Sequence, residues 1–145
     1  MTTLSRSAIF DNKREAQKNE LQEDYVEMIA HLIQERGEAR ISDLAELFGV
    51  SSAAVNGAIT RLKKDGLAHS APYRSVFLTE EGEELAKKCT SRHELVVNFL
   101  LCLGVSRDNA EKDAEGLEHY LSNESLSCLR KFVDKKDKLN ITKIK

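Results

Sequence analysis

Breaks, thiols, long apolar stretches and excess basic charge are all scarce in this chain, and each scarcity narrows what it can be. One proline, Pro72, and seven glycines stand among 145 residues of which 32% are charged. With Leu, Ala, Glu and Lys recurring at helical spacing, that favours a mostly α protein. The three cysteines, Cys89, Cys102 and Cys128, are odd in number and form no Cys-x-x-Cys pair, so neither a disulfide framework nor a structural zinc site is indicated. Cys102, inside Phe99-Leu100-Leu101-Cys102-Leu103, reads as a small core residue. The longest apolar run, residues 95–105, is broken by Asn98 and Gly104 and is too short to span a bilayer, and residues 1–22 hold no signal-peptide core. A cytoplasmic location is therefore expected. The formal net charge is −2, which leaves no global basic field; any nucleic-acid surface has to be local.

What is present is periodicity. Leu21, Tyr25, Met28, Ile29, Leu32 and Ile33 recur at three- and four-residue steps, the stripe of an amphipathic helix that stops near Gly37. Residues 1–19 read as a flexible extension. Ser42 is expected to cap a short helix through Phe48, with Asp43 and Glu46 in its first turn. Gly49 and Val50 make a tight turn, and Ser51 or Ser52 caps a second helix through about Asp65, stopped by Gly66. Leu44, Ala45, Leu47, Val50, Val55, Ile59 and Leu62 supply apolar positions where two crossed helices meet, the pattern of a helix-turn-helix. Residues 67–70, a turn at Pro72-Tyr73-Arg74 and residues 75–78 read as a β-hairpin wing. Thr79 then caps further helix, expected over 85–99, 107–120 and 125–133. The expected fold is mostly α: a winged helix-turn-helix over 20–85, an all-helical dimerisation domain over 86–134 and a flexible tail over 135–145. Leu95, Val96, Phe99, Leu100 and Leu103 form an apolar face that a second copy would cover, and helix-turn-helix proteins commonly read two half-sites as two-fold dimers.

Local charge agrees with a DNA reader. Between residues 36 and 78 the basic residues are Arg36, Arg40, Arg61, Lys63, Lys64 and Arg74, against Glu38, Asp43, Glu46 and Asp65. Arg61, Lys63, Lys64 and the wing-tip Arg74 suit phosphates, although solvated surface charge is the plain alternative. The base-reading face at the start of the second helix offers Ser51, Ser52, Ala53, Ala54, Asn56, Gly57 and Thr60. Asn56 can hydrogen-bond adenine, while alanine and threonine methyls can touch thymine. Gly57 inside a helix costs about 1 kcal/mol relative to Ala, either for close approach to DNA or as a tolerated cost.

Six residues of metal-binding type flank this reader: Asp24 and Glu27, then His93, then Glu115, Glu118 and His119. Asp24 and Glu27 are three apart, and the last three share a helix face. Crowded carboxylates repel and raise one another's pKa unless cations neutralise them. Oxygen-rich donors with imidazole and no thiolate suit Mn²⁺ over softer ions. By itself, Glu-x-x-Glu-His also fits a solvated face on a charged helix. A metal-dependent hydrolase would use similar carboxylates, but no general base or nucleophile motif stands apart from them. A metal-independent winged-helix adaptor, its acidic residues merely solvated, is the other alternative.

Glu23-Asp24-Tyr25-Val26-Glu27 ahead of the helix-turn-helix, Arg92-His93-Glu94-Leu95 after the wing and Glu115-Gly116-Leu117-Glu118-His119 occur in order, and together they resemble the DtxR-type metalloregulators, in their manganese transport regulator branch. The resemblance runs from about residue 20 to 133. It implies a homodimeric repressor of metal-uptake genes that binds double-stranded operator DNA when manganese is plentiful. It also implies a two-ion site between the domains, with Asp24, Glu27, His93, Glu115, Glu118 and His119 as ligands and the Glu115 carbonyl shared. Metal would hold the two recognition helices at operator spacing, while the apo protein samples many spacings. In the iron-sensing branch the positions of Asp24 and Glu115 carry Met and Cys; the carboxylates here, and the expected lack of that branch's SH3-like domain, point to manganese over iron or another divalent ion. Ala53 and Gly57 depart from the proline and larger polar residue common in the family, so the operator is not implied. His31, on the face of Asp24, matches no ligand position and reads as surface or interface.

Overall fold

The computed structural model describes residues 5–70 and 75–143, with side chains through residue 140. In chain order the elements are α1 (Arg6–Arg36), α2 (Ile41–Phe48), α3 (Ser52–Lys64), β1 (Ala68–Ser70), β2 (Val76–Leu78), α4 (Glu80–Cys102), α5 (Arg107–Leu117) and α6 (Asn123–Lys143). The mostly α expectation holds, with one antiparallel hairpin following a helix-turn-helix. The chain divides into two compact units, Lys18–Cys89 and Thr90–Lys145, the second including the described residues up to Gln17.

In the Lys18–Cys89 unit, α1 buries Tyr25, Val26, Ile29 and Leu32 against Leu44 of α2, Val55, Ile59 and Leu62 of α3, and Val76 and Leu78 of β2. The stripe on α1 is turned slightly from the one expected. Val26 is fully buried and Leu21 is exposed, because the helix meets the core from its Tyr25–Val26 edge. Gly37, with φ 79°, ends α1 and donates its N–H to the Ile33 carbonyl. At its other end α1 starts at Arg6. Residues 6–19, expected as a flexible extension, are therefore helical. No glycine or proline interrupts residues 5–36, and the Arg14–Asp11 pair adds i,i+3 support on an exposed surface.

The expected cap on α2 is corrected as well. Arg40, extended at φ −97° and ψ 148°, occupies the cap position without a side-chain bond, and Ser42 lies inside the first turn. The cause is a strand-like contact one residue earlier: Val76 N–H donates to the Ala39 carbonyl at 2.8 Å, so helix can begin only after Arg40. On this eight-residue helix Ile41, Leu44, Ala45 and Phe48 face the core, and Phe48 stacks on Tyr25 with ring centroids 4.5 Å apart. Leu47 and Val50, expected at the helix crossing, are half-exposed on the opposite side. Gly49 makes the turn in a left-handed conformation, φ 64°. Ser51 caps α3, its Oγ accepting from Ala54 N–H at 3.1 Å.

The wing pairs Ala68 with Leu78, His69 with Phe77 and Ser70 with Val76; its expected turn at Pro72-Tyr73-Arg74 lies outside the described residues. Where the hairpin meets α4, Thr79 donates its N–H to the Leu67 carbonyl and its hydroxyl to the Gly66 carbonyl, then accepts from Gly82 N–H. A Cβ on Gly82 would sit 2.0 Å from the Leu67 carbonyl oxygen, so only glycine lets the helix start this close to the turn. Capped by Thr79, α4 runs unbroken from Glu80, earlier than the expected start at 85.

In the Thr90–Lys145 unit, Val96 and Val97 of α4 and Ala110 and Ala114 of α5 form a small core with Leu100, Leu101, Val105, Leu121, Leu126 and Leu129 packed against it. Gly104, φ 93°, ends α4, with Val105 N–H returning to the Leu100 carbonyl. Ser106 and Ser122 cap the next two helices through their hydroxyls. The tail expected over 135–145 is helical through Lys143. It too lacks glycine and proline, and it is tied down: Lys136 Nζ donates to the Cys102 carbonyl at 2.6 Å and lies 5.9 Å from the Phe132 ring centre. Leu103, Phe132 and Leu139 stay exposed, apolar surface of the kind that dimerisation covers. Cys102 is only partly buried, whereas Cys89 is fully buried.

Candidate metal centre and nucleic-acid interface

α4 places His93 opposite the end of α5. One turn apart on α5 stand Glu111 and Glu115, and the helix closes at Leu117, short of the expected Tyr120, so Glu118 is its C-terminal cap. His119 and Tyr120 then turn back to Gly116 and Leu117 by main-chain hydrogen bonds. His93 Nδ1 lies 3.7 Å from Glu115 Oε1 and 3.5 Å from Glu118 Oε2. Glu118 Oε1 is 3.2 Å from His119 Nε2. Donor atoms of His93, Glu115 and Glu118 all fall within 4.8 Å of one another.

This group fits a divalent ion. Ligands about 2.1 Å from one octahedral ion lie roughly 3 Å apart when adjacent and about 4.2 Å apart when opposite; the 3.5 and 3.7 Å spacings lie between these values, so small side-chain rotations would bring the three donors to one ion. Glu118 is fully buried and His119 nearly so, a costly setting for a carboxylate without concentrated positive charge beside it. His93 Nδ1 is buried with no hydrogen-bond partner among the described residues, although two carboxylates face it. An imidazole nitrogen left bare between carboxylates is set for a cation. Burial by itself lowers the His93 pKa, but the hydrogen bond it donates to Glu111 and the charges of Glu118, Glu115 and Glu111 outweigh it, and the net shift is upward from 6.5.

Asp24 and Glu27 belong to the Lys18–Cys89 unit, half-buried and one turn apart on α1, with Glu20 a turn before Asp24 on the same face. Glu20 escaped sequence reasoning, although its i−4 spacing from Asp24 was a usable signal. Glu111 escaped it too, lying outside the Glu-x-x-Glu-His motif. His31 is exposed beside Glu35 at 3.3 Å, a surface residue as read from the sequence.

On α3, Val55, Ala58, Ile59 and Leu62 point into the core. The opposite face presents Ser52, Ala53, Asn56, Thr60 and Lys64 to solvent, with Ser51, Ala54 and Arg61 also exposed and Gly57 half-exposed. Thr60 donates its hydroxyl to the Asn56 carbonyl at 2.8 Å. Nothing lies within 4 Å of a Cβ built on Gly57, so the fold does not require glycine there. Arg40 is engaged by Glu38, whose carboxyl accepts from Ser75 and Arg40 and is held below its usual range by them. That pairing leaves Arg40 less available for a phosphate. Arg74 lies outside the described residues.

An exposed recognition helix with a wing, and a helical unit carrying a carboxylate–imidazole donor cluster, define a metal-linked DNA-binding regulator. Residues 19–76 match the iron dependent repressor N-terminal DNA binding domain, and residues 79–138 match the iron dependent repressor metal binding and dimerisation domain. The chain belongs to this family of DtxR-type repressors. Its relatives include the transcriptional regulator MntR of Escherichia coli O6:H1, 50% identical over 126 residues, 87% of this chain and 81% of that protein. The HTH-type transcriptional regulator MntR of Bacillus subtilis (strain 168) is 40% identical over 104 residues, 72% of this chain and 73% of that one. A solved manganese-dependent transcriptional repressor in complex with manganese superposes with a TM-score of 0.69 at 29% identity, over 78% of this chain and 52% of its own. The chain thus spans about half the length of that structure. These relatives are transcriptional regulators and not enzymes, which sets the hydrolase reading aside. Among the described residues no helix is long and apolar enough to cross a membrane.

Proposed function

We propose that this chain is a manganese-responsive repressor that binds operator DNA as a metal-activated homodimer and controls metal-uptake genes from the cytoplasm. The observation that carries this reading is the donor set: His93 Nδ1 facing the Glu115 and Glu118 carboxylates, with Cys89 buried, Cys102 partly buried and Cys128 exposed, and none of them in the cluster. Hard oxygen donors with imidazole and no thiolate favour Mn²⁺ over thiophilic ions. Asp24, Glu27 and His119 complete the ligand set that the motifs imply, for two ions per subunit. A divalent ion held by His93, Glu115 and Glu118 would supply the positive charge that offsets the repulsion between the two carboxylates. The residues do the rest: Glu115 and Glu118 present oxygens, His93 presents Nδ1, and α3 offers Asn56, Ala53, Ala54 and the Thr60 methyl to bases, with Arg61 and Lys64 for phosphates and Arg74 expected from the sequence to join them. Metal and DNA binding are linked, so any factor that one adds to the other's affinity is returned in full.

Fluorescence anisotropy of the metal-free protein on DNA from its own promoter and from manganese-transporter promoters, titrated with Mn²⁺, Fe²⁺ or Zn²⁺ at fixed salt, tests this. Binding should appear with Mn²⁺ and be lost in Asp24→Ala and Glu115→Ala. Equal binding with and without chelator would refute the switch and favour a metal-independent adaptor; a response to Fe²⁺ but not Mn²⁺ would reassign the metal.

A further inference from the structure

The two ring nitrogens of His93 face different partners. Nε2 is 2.8 Å from Glu111 Oε2, and because an ionised carboxylate only accepts, the proton of that hydrogen bond must sit on Nε2. A neutral imidazole has one N–H, so Nδ1 is left with its lone pair, directed at Glu115 and Glu118. The other Glu111 oxygen, Oε1, lies 3.6 Å from Arg107 Nη1, one turn earlier on α5. The chain Arg107–Glu111–His93 thus approaches the ring from the side away from the donor cluster. We propose that Glu111 is a positioning residue of the metal centre: it holds His93 in the Nε2–H tautomer and thereby aims the Nδ1 lone pair at the space between Glu115 and Glu118. This rests on the metal reading of those three residues. Histidine ligands elsewhere are set in the same way, by a carboxylate or carbonyl on the nitrogen that does not bind metal. The plain alternative is that Glu111, 48% exposed, is only an i,i+4 surface partner of Arg107 that happens to graze the ring.

Nitrogen NMR of the imidazole in the full-length, metal-free protein reads the tautomer directly, in alkaline buffer where the ring is neutral. His93 should be the Nε2–H form in the parent and in Glu111→Gln, whose side-chain carbonyl still accepts, and a mixture in Glu111→Ala. Mn²⁺ affinity, read by competition with a chelating dye, should fall about 10- to 100-fold in Glu111→Ala and be largely restored in Glu111→Gln. A parent ring protonated on Nδ1 would overturn the proposal. So would a Glu111→Ala protein that keeps the parent tautomer and affinity, or a Glu111→Gln protein as impaired as Glu111→Ala. If the parent bound no Mn²⁺, the metal reading would fail, and with it the positioning role, while the tautomer would still report whether Glu111 orients the ring.

Discussion

Replacing glycine by alanine within a helix ordinarily stabilises it, and this protein should give opposite signs at two such positions. At Gly57 the added methyl meets nothing within 4 Å, so Gly57→Ala should recover most of the helix-propensity difference, about 1 kcal/mol. At Gly82 the methyl would lie 2.0 Å from the Leu67 carbonyl oxygen, 3.0 Å from its carbon and 3.3 Å from Leu78 Cβ. Ordinary contact requires α4 and the residue 66–67 turn to separate by roughly 1 Å or more, and overpacking of that kind costs about 1–3 kcal/mol. The same displacement strains the hydrogen bond from Thr79 N–H to the Leu67 carbonyl, 3.0 Å long, worth about 1 kcal/mol. Propensity gained in the first turn offsets only part of this, leaving Gly82→Ala about 2 kcal/mol less stable than the parent. Urea unfolding of the metal-free proteins by circular dichroism, at one protein concentration because the dimer links stability to concentration, should raise the midpoint for Gly57→Ala and lower it for Gly82→Ala. A Gly82→Ala protein as stable as Gly57→Ala would refute the close packing of α4 on the turn. The Gly57 variant also separates its two readings: weaker metal-dependent DNA binding at raised stability would mean that the bare helix face serves the DNA.

Three further outcomes follow from particular contacts. Ser51→Ala removes the α3 cap and should cost about 1 kcal/mol in the same unfolding assay, whereas Ser42→Ala, at a position that caps nothing, should cost far less. Glu38 is held below its ordinary value of 4.5 by Ser75 and Arg40; its contribution to stability is therefore fully present above that value and is lost as pH falls through the lowered one. Comparing acid unfolding of the parent with Glu38→Gln should show that component vanish. Replacing Cys102 and Cys128 by Ser should leave Mn²⁺ affinity in the dye competition unchanged, and a large loss would contradict the oxygen-rich donor set.

Much of the architecture was legible because it is written in local periods. The helix-turn-helix, its Gly49 turn, the Ser51 cap, the two wing strands and the Glu-x-x-Glu-His cluster each depend on residues a few positions apart, where spacing maps directly onto a face or a cap. The helical runs over 6–19 and 135–143 were misjudged for the opposite reason. Charged, exposed sequence has no apolar stripe to announce a helix, yet nothing in it stops one.

The order and spacing of residue types carried the class of the chain: a helix-turn-helix pair followed by oxygen and imidazole donors of metal-binding type. Contacts between residues distant in sequence needed the folded chain. The bridge from Ala39 to Val76 moved the start of α2 past Ser42, the core turned α1 so that Val26 was buried instead of Leu21, and the approach of α4 to α5 gave His93 a carboxylate on each side. Spacing encodes which residues share a helix face, but the nitrogen of His93 that meets Glu111 depends on how two helices pack, and no local pattern of residues specifies that.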